Sequence, residues 1–253
     1  MSSSELEYDH MIVWLDQNIA SADCCRQLKK AFSTTINPEN RISTNIDELD
    51  ICNLIRENSN NEQTSFLQVP FIFRLFSDVE PCLDFLIENA RKKRIFFLTS
   101  GSLGEKIVPK ILEEHQEIFQ DENNKLYEDS IYIFCADMVK HGQWAIDYLD
   151  LDCIKMENDD QTLLSRLTRD IAKYFLFKGK QFKENSNDLL SSLEKATKYF
   201  TWAKELYHRA QTIIKTHTST NMINEIDQLI IQTQFQIKQI KNDNDDEQFG
   251  EEN

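Results

Sequence analysis

Four apolar runs recur along the first part of the chain, and each ends in small or acidic residues. They are Met11 to Asp16 (MIVWLD), Phe71 to Asp78 (FIFRLFSD), Arg94 to Gly101 (RIFFLTSG) and Ile131 to Asp137 (IYIFCAD). Continuous short apolar stretches of this kind predict strands buried on both faces, as in a parallel sheet. Cys153 to Met156 predicts a shorter fifth strand. The segments between them carry helical spacing. Ser21 to Phe32 places Cys24, Leu28 and Phe32 on one face, with Ser21 as its cap. After Asp78, which is placed to cap, Pro81 sits in the first turn of a helix with Cys82, Phe85, Leu86 and Ala90 inward. Ser102 to His115 turns Leu103, Ile107, Val108, Ile111 and Leu112 inward, and Pro109 is expected to bend or break its first half. Gln143 to Leu149 reads as a short helix, and Asp160 to Phe177 as a strongly periodic one. Strand and helix alternate with gaps suited to crossovers. The pattern predicts an α/β domain: an open, mostly parallel five-stranded sheet with helices on both faces and strand order 2-1-3-4-5.

Two regions depart from that rhythm. Asn37-Pro38-Glu39-Asn40 is a turn signal, and residues 41–66 read as an insertion or long connection, with Asp47 to Glu57 as a short helix. Beyond Gly179 the chain has no strand signal and no proline. Ser186 to Lys215 and Met222 to Ile240 carry apolar faces that an isolated helix would not support, so they predict a hairpin, or a bundle that includes the 161–177 helix. The expected organisation is a flexible start over 1–9, an α/β domain over 10–178, a helical hairpin over 179–242 and a solvated acidic tail over 243–253.

Composition narrows the function. The 253 residues carry a formal charge of −15, which repels phosphate backbones and anionic lipids and makes nucleic acid an unfavourable partner. Arg91-Lys92-Lys93-Arg94 is a local basic run, read as a solvated helix end. The six cysteines form no CxxC pair and match neither a zinc site nor a secreted disulfide framework. Scattered thiols, an acidic start and no apolar stretch of about 18 residues predict a cytoplasmic chain without a membrane span.

In such a sheet the polar residues at the carboxyl ends of the strands converge. Here they are Asp16, Asp78, Thr99, Ser100, Cys135 and Asp137. A phosphoacceptor site would need a second acid beside Asp16 and an Asp at the third strand end, where Thr99-Ser100 stands instead. Glu105, four residues past Gly101, is the candidate carboxylate for holding a ribose or a developing positive charge; its structural alternative is a first-turn Glu favoured by the helix dipole. Ser100, Gly101, Ser102 and Gly104 open two readings: a nest of backbone N–H groups for a phosphate or carboxylate, or glycines that permit a tight strand-to-helix turn. The run matches neither a Walker A loop nor a dinucleotide fingerprint. Cys135 with His141 is a conceivable nucleophile and base, with a small core thiol as the alternative. His115 and His141 lack partners at metal spacing. In the helical part Trp202, Tyr207 and the aromatics near Tyr199 either pack the bundle or present a stripe to a partner helix.

IVWLD, TSG-SLG-EKIVPKI, SIYIFCAD and HGQWAIDYL together resemble a family of rotifer proteins. In these, a receiver-like or TIR-like α/β module stands next to helical repeats or an arginine-specific ADP-ribosyltransferase domain. The resemblance covers roughly residues 10–175 and implies signalling or regulation. The transferase arrangement R…S-x-S…E-x-E has no counterpart here, since Glu251 and Glu252 lie in the terminal tail. The expected function is therefore a non-catalytic protein-interaction or signalling module, without cofactor, whose partner carries basic patches. The alternative is an enzyme using NAD or a nucleotide at the crevice of Asp16, Thr99 to Glu105 and Asp137.

Overall fold

The computed structural model describes residues 9–19, 26–37, 42–45, 64–67, 69–184, 189–215 and 219–250. They fall in two compact units, Met1–Leu163 and Leu164–Asn253.

The first unit is built on one eight-stranded sheet. Its elements are β1 (His10–Leu15), α1 (Arg26–Lys30), β2 (Phe32–Asn37), β3 (Ile42–Asn45), β4 (Thr64–Phe66), β5 (Val69–Phe76), α2 (Val79–Glu88), β6 (Arg94–Ser100), α3 (Gly101–Glu114), β7 (Ile131–Phe134), α4 (Met138–Ala145) and β8 (Ile154–Glu157). Short 3₁₀ turns follow α3 at Gln116–Phe119 and α4 at Ile146–Leu151. The sheet order is β3-β2-β4-β5-β1-β6-β7-β8. Strands β5, β1, β6, β7 and β8 run parallel, in the predicted order 2-1-3-4-5. Residues Met11, Val13 and Leu15 of β1, with Ile95, Phe97, Ile131 and Ile133, receive Leu86 of α2 and Ile107 and Ile111 of α3. Each such side chain taken out of water contributes about 1.5–3 kcal/mol. The intervening residues Ile12, Trp14, Phe96 and Leu98 are buried too, which is why these strands read as unbroken apolar runs.

Several expectations need correction. The Ser21 to Phe32 helix is described only over Arg26–Lys30, and Phe32 opens a strand. The stretch read as a connection contributes β3 and β4, which with β2 extend the sheet antiparallel beyond β5. Their sequences, FSTTIN, ISTN and TSF, are too short and polar to alternate clearly. The expected helix over Asp47 to Glu57 lies outside the described residues, as do Cys24, Cys25, Cys52 and the cap Ser21. Pro109 lies inside α3 without ending it; Ile107, Val108, Ile111 and Leu112 are buried around it and offset the lost backbone bond. The basic run divides. Arg91 is exposed, but Arg94 is buried and donates to the carbonyls of Ile95, Glu128 and Asp129 and to Ser130 Oγ. Its guanidinium also lies over the rings of Phe96 and Tyr127, at 4.6 and 4.2 Å.

The second unit holds most of α5 (Asp160–Glu184) together with α6 (Leu189–Ile214) and α7 (Thr220–Gly250). Cross-helix contacts set an up-down-up bundle: Ser165 donates to Ala210 O, Phe175 meets Trp202, Lys180 pairs with Glu225 and Lys204 with Asp227. Gly179 does not break α5, contrary to the boundary read there. A methyl at its position would lie 2.5 Å from Phe200 Cε1, so the glycine admits the α6 ring. The acidic segment from Asp243 continues α7 to Gly250 rather than leaving it as a tail.

Candidate functional site

All five parallel strands end at one edge, so the predicted crevice residues share it. Following the sheet order, Asp78 lies beyond β5, Asp16 beyond β1, Thr99 to Gly101 at the end of β6, and Cys135 to Asp137 beyond β7. With strands about 4.8 Å apart, Asp78 and Asp137 stand roughly 14 Å from each other, too far to grip one small group.

Three of these polar groups, Asp16, Thr99 and Asp137, bond to local backbone. Asp16 is buried, and its Oδ1 accepts from Asn18 N at 2.8 Å, closing the turn after β1. Asp137 caps α4 by accepting from Lys140 N at 2.9 Å. Asp78 holds the N-cap position of α2, but its carboxylate accepts from Ser77 Oγ rather than from the helix. Thr99 is buried, and its hydroxyl donates to Ser100 O. Ser100 is the N-cap residue of α3 without a side-chain cap bond, and Ser102 is exposed.

The glycines of this stretch have ordinary φ values, so the turn does not require them. They are small because α4 packs on α3. A methyl on Gly101 would lie 2.6 Å from His141 Cδ2 and 2.7 Å from Cys135 Cβ; one on Gly104 would lie 3.1 Å from Thr99 Cγ2 and 3.4 Å from Trp144 Cζ2. The first turn of α3 is thus in contact with α4, which narrows the room for an anion in the predicted nest.

This packing gathers Glu105, His141 and Cys135. His141 is 7% exposed, and its Nδ1 has no hydrogen-bond partner and lies 3.9 Å from Glu105 Oε2. Glu105 is about half exposed. Cys135 is buried, with Sγ 3.8 Å from Met138 Sδ. Burial first, and Asp137 second, push its thiol pKa up. A nucleophilic cysteine needs the opposite shift, toward thiolate, so the thiol behaves as a small core group. Trp144 Nε1, also on α4, is likewise buried without a partner. Among the described residues no group of three or more His, Cys, Asp or Glu is arranged to hold a metal ion, and no helix is long and apolar enough to cross a membrane.

In the second unit Tyr207 is buried at 6% exposure, and Trp202 packs with Phe175 and Tyr199. Both sit within bundle packing, so neither lies on a fully open stripe.

The feature that sequence reasoning missed lies beside β8, at the edge of the sheet. Met138, Val139, Gly142, Gln143, Ala145, Ile146, Ile154 and Met156 line a groove of about 460 Å³. Val139 is 80% exposed and Ile146 63%. The signal was present in the chain: Met138, Val139, Gly142 and Ile146 form a second stripe on a helix whose inner face is His141 and Ala145. A second hollow of about 420 Å³ lies between β5 and α2, lined by Phe76, Pro81 and Phe85 with Asp78, Asp84 and Glu88.

Compared with protein-family models, with curated proteins and with solved structures, the chain matches none of them.

Proposed function

We propose that the first unit is a docking module of receiver-like or TIR-like kind, which binds a basic amphipathic helix in the groove between α4 and β8. The strand order is the one such signalling modules share, and the resemblance of the strand-end phrases points the same way. The observation that carries the reading is the groove itself. Val139 and Ile146, exposed at 80% and 63%, line a concave, mostly aliphatic surface with Met138 and Met156. Flexible methionines suit a surface that accepts varied apolar anchors. Acidic residues flank its lining in sequence: Asp137 precedes Met138, Asp147 follows Ile146 and Asp150 lies close by, all exposed, against Lys140 and against Lys155, which pairs with Asp129. A second copy of a chain of charge −15 would meet repulsion there, whereas lysine- or arginine-flanked anchors gain from the field.

The test is selection from a displayed library of helical peptides, run against the wild-type chain and against Val139→Glu/Ile146→Glu. Enriched peptides are expected to carry apolar residues at i, i+3 or i+4, and i+7 with basic flanks, to lose binding on the double variant and to weaken with added salt. Enrichment that ignores the double variant, or no enrichment at all, would sink the docking reading.

A further inference from the structure

The contact between α3 and α4 holds a group with an unmet need. His141 Nδ1 is buried without a partner, and buried polar atoms of this kind call for a physical explanation. The nearest acceptor recorded for it is Glu105 Oε2 at 3.9 Å, just outside hydrogen-bond range and on a side chain that is half in water. The imidazole side of the pair is held in place, because it is packed against Gly101. A neutral ring gives the carboxylate little reason to leave water. An imidazolium presents an N–H at Nδ1 whatever tautomer preceded it, and Glu105 needs only a rotamer change to accept that bond.

We infer that His141 and Glu105 form a proton-operated latch that fastens α4 to α3. The step is the uptake of one solvent proton by the imidazole while Glu105 stays ionised, converting a 3.9 Å approach into a charge-assisted hydrogen bond. The other groups facing His141 leave the latch to this pair. Cys135 stays a neutral thiol, since burial and Asp137 push its pKa up. Asp137, at the start of the helix, has its carboxylate on Lys140 N and its carbonyl on His141 N. Lys140 is exposed and adjacent in sequence. Because α4 also supplies Met138, Val139, Gly142 and Ala145 to the groove, the same proton stiffens one wall of it. The latch itself rests on the α3–α4 geometry and stands or falls apart from the docking reading.

The experiment needs no partner. Amide exchange across residues 138–145 is measured in the wild-type chain and in Glu105→Gln at pH about 5.5 and about 8, corrected for intrinsic rates, a window that leaves carboxylates ionised. Protection of α4 in the wild type is expected to be about two- to fivefold higher at the acid end, the effect of a partly exposed ion pair. The difference should vanish in Glu105→Gln, whose site is exposed enough to keep the fold. Equal protection at both pH values in the wild type, or an undiminished difference in the variant, would each overturn the latch.

Discussion

Replacing Gly179 by alanine separates two explanations for a glycine in the middle of a helix. If the residue only weakens α5, alanine should stabilise the bundle by about 1 kcal/mol. The geometry argues the reverse. The added methyl would lie 2.5 and 2.6 Å from Phe200 Cε1 and Cδ1. Carbon contacts settle near 3.5–4.0 Å, so the ring or the helix must retreat by roughly 1 Å. Phe200 is fully buried and cannot swing outward. Overpacking of this sort costs about 1–3 kcal/mol. Against the propensity gain, the net effect is a loss of up to about 2 kcal/mol. Urea unfolding with pulsed amide exchange, read on α6 peptides by mass spectrometry, reports the second unit alone. With a slope near 1 kcal/mol/M, the midpoint should fall by up to about 2 M. Pairing the change with Phe200→Leu should return much of the loss in a double-mutant cycle. Gly142→Ala is the counter-case: nothing lies within 4 Å of the added methyl, so α4 should gain up to about 1 kcal/mol. A Gly179→Ala chain more stable than wild type, by the roughly 1 kcal/mol that helix propensity alone predicts, would refute the packing argument.

Two further predictions concern buried polar groups. Arg94→Met keeps most of the volume but takes the guanidinium donor from the carbonyls of Glu128 and Asp129 and from Ser130 Oγ, of which Asp129 O keeps the Tyr132 hydroxyl and Ser130 Oγ keeps its bond to Tyr127 O, so unfolding of the first unit should become easier by about 1–3 kcal/mol in calorimetry or urea; a change below about 1 kcal/mol would mean that the loop finds other donors. Burial, aided by Asp170 and Glu225, pushes the Tyr207 phenol pKa up to about 12 from its ordinary 10, so the folded chain keeps a proton that the unfolded chain releases. Stability should therefore fall by roughly 1.4 kcal/mol per pH unit between about 10 and about 12, and Tyr207→Phe should show that much less slope in pH-dependent unfolding.

The parallel sheet was legible because its strands are buried on both faces. MIVWLD and RIFFLTS leave no alternation to misread, and the order 2-1-3-4-5 follows from the crossovers between them. The antiparallel extension was not legible. Its strands are short and rich in serine and threonine, and they are specified by pairing, β4 on β5, β2 on β4 and β3 on β2, rather than by their own pattern. Glycines misled for a related reason. Gly179 reads as a boundary and Gly101 as part of a tight turn or an anion nest when only local chemistry is weighed, yet both are contact sites for side chains far along the chain, Phe200 and His141. The strand ends that carry the crevice residues lie at one edge of the sheet. The role of Glu105 as neighbour to His141 needed the crossing of α3 and α4, which no spacing encodes.

Weighing the crevice against the groove comes down to which surface still has something to gain from a ligand. In the crevice the carboxylates of Asp16, Asp78 and Asp137 accept from Asn18 N, Ser77 Oγ and Lys140 N, and the Thr99 hydroxyl donates to Ser100 O. A ligand gains only the surplus over bonds it displaces there, and any anion would also face the field of the neighbouring carboxylates. At the groove the balance is reversed. Val139 and Ile146 keep most of their apolar surface in water, and covering such a side chain is worth about 1.5–3 kcal/mol. No local bond has to break for that gain. Under the docking proposal, the exposed Asp137, Asp147 and Asp150, next to the groove residues in sequence, would favour a cationic amphipathic helix over a second copy of this chain.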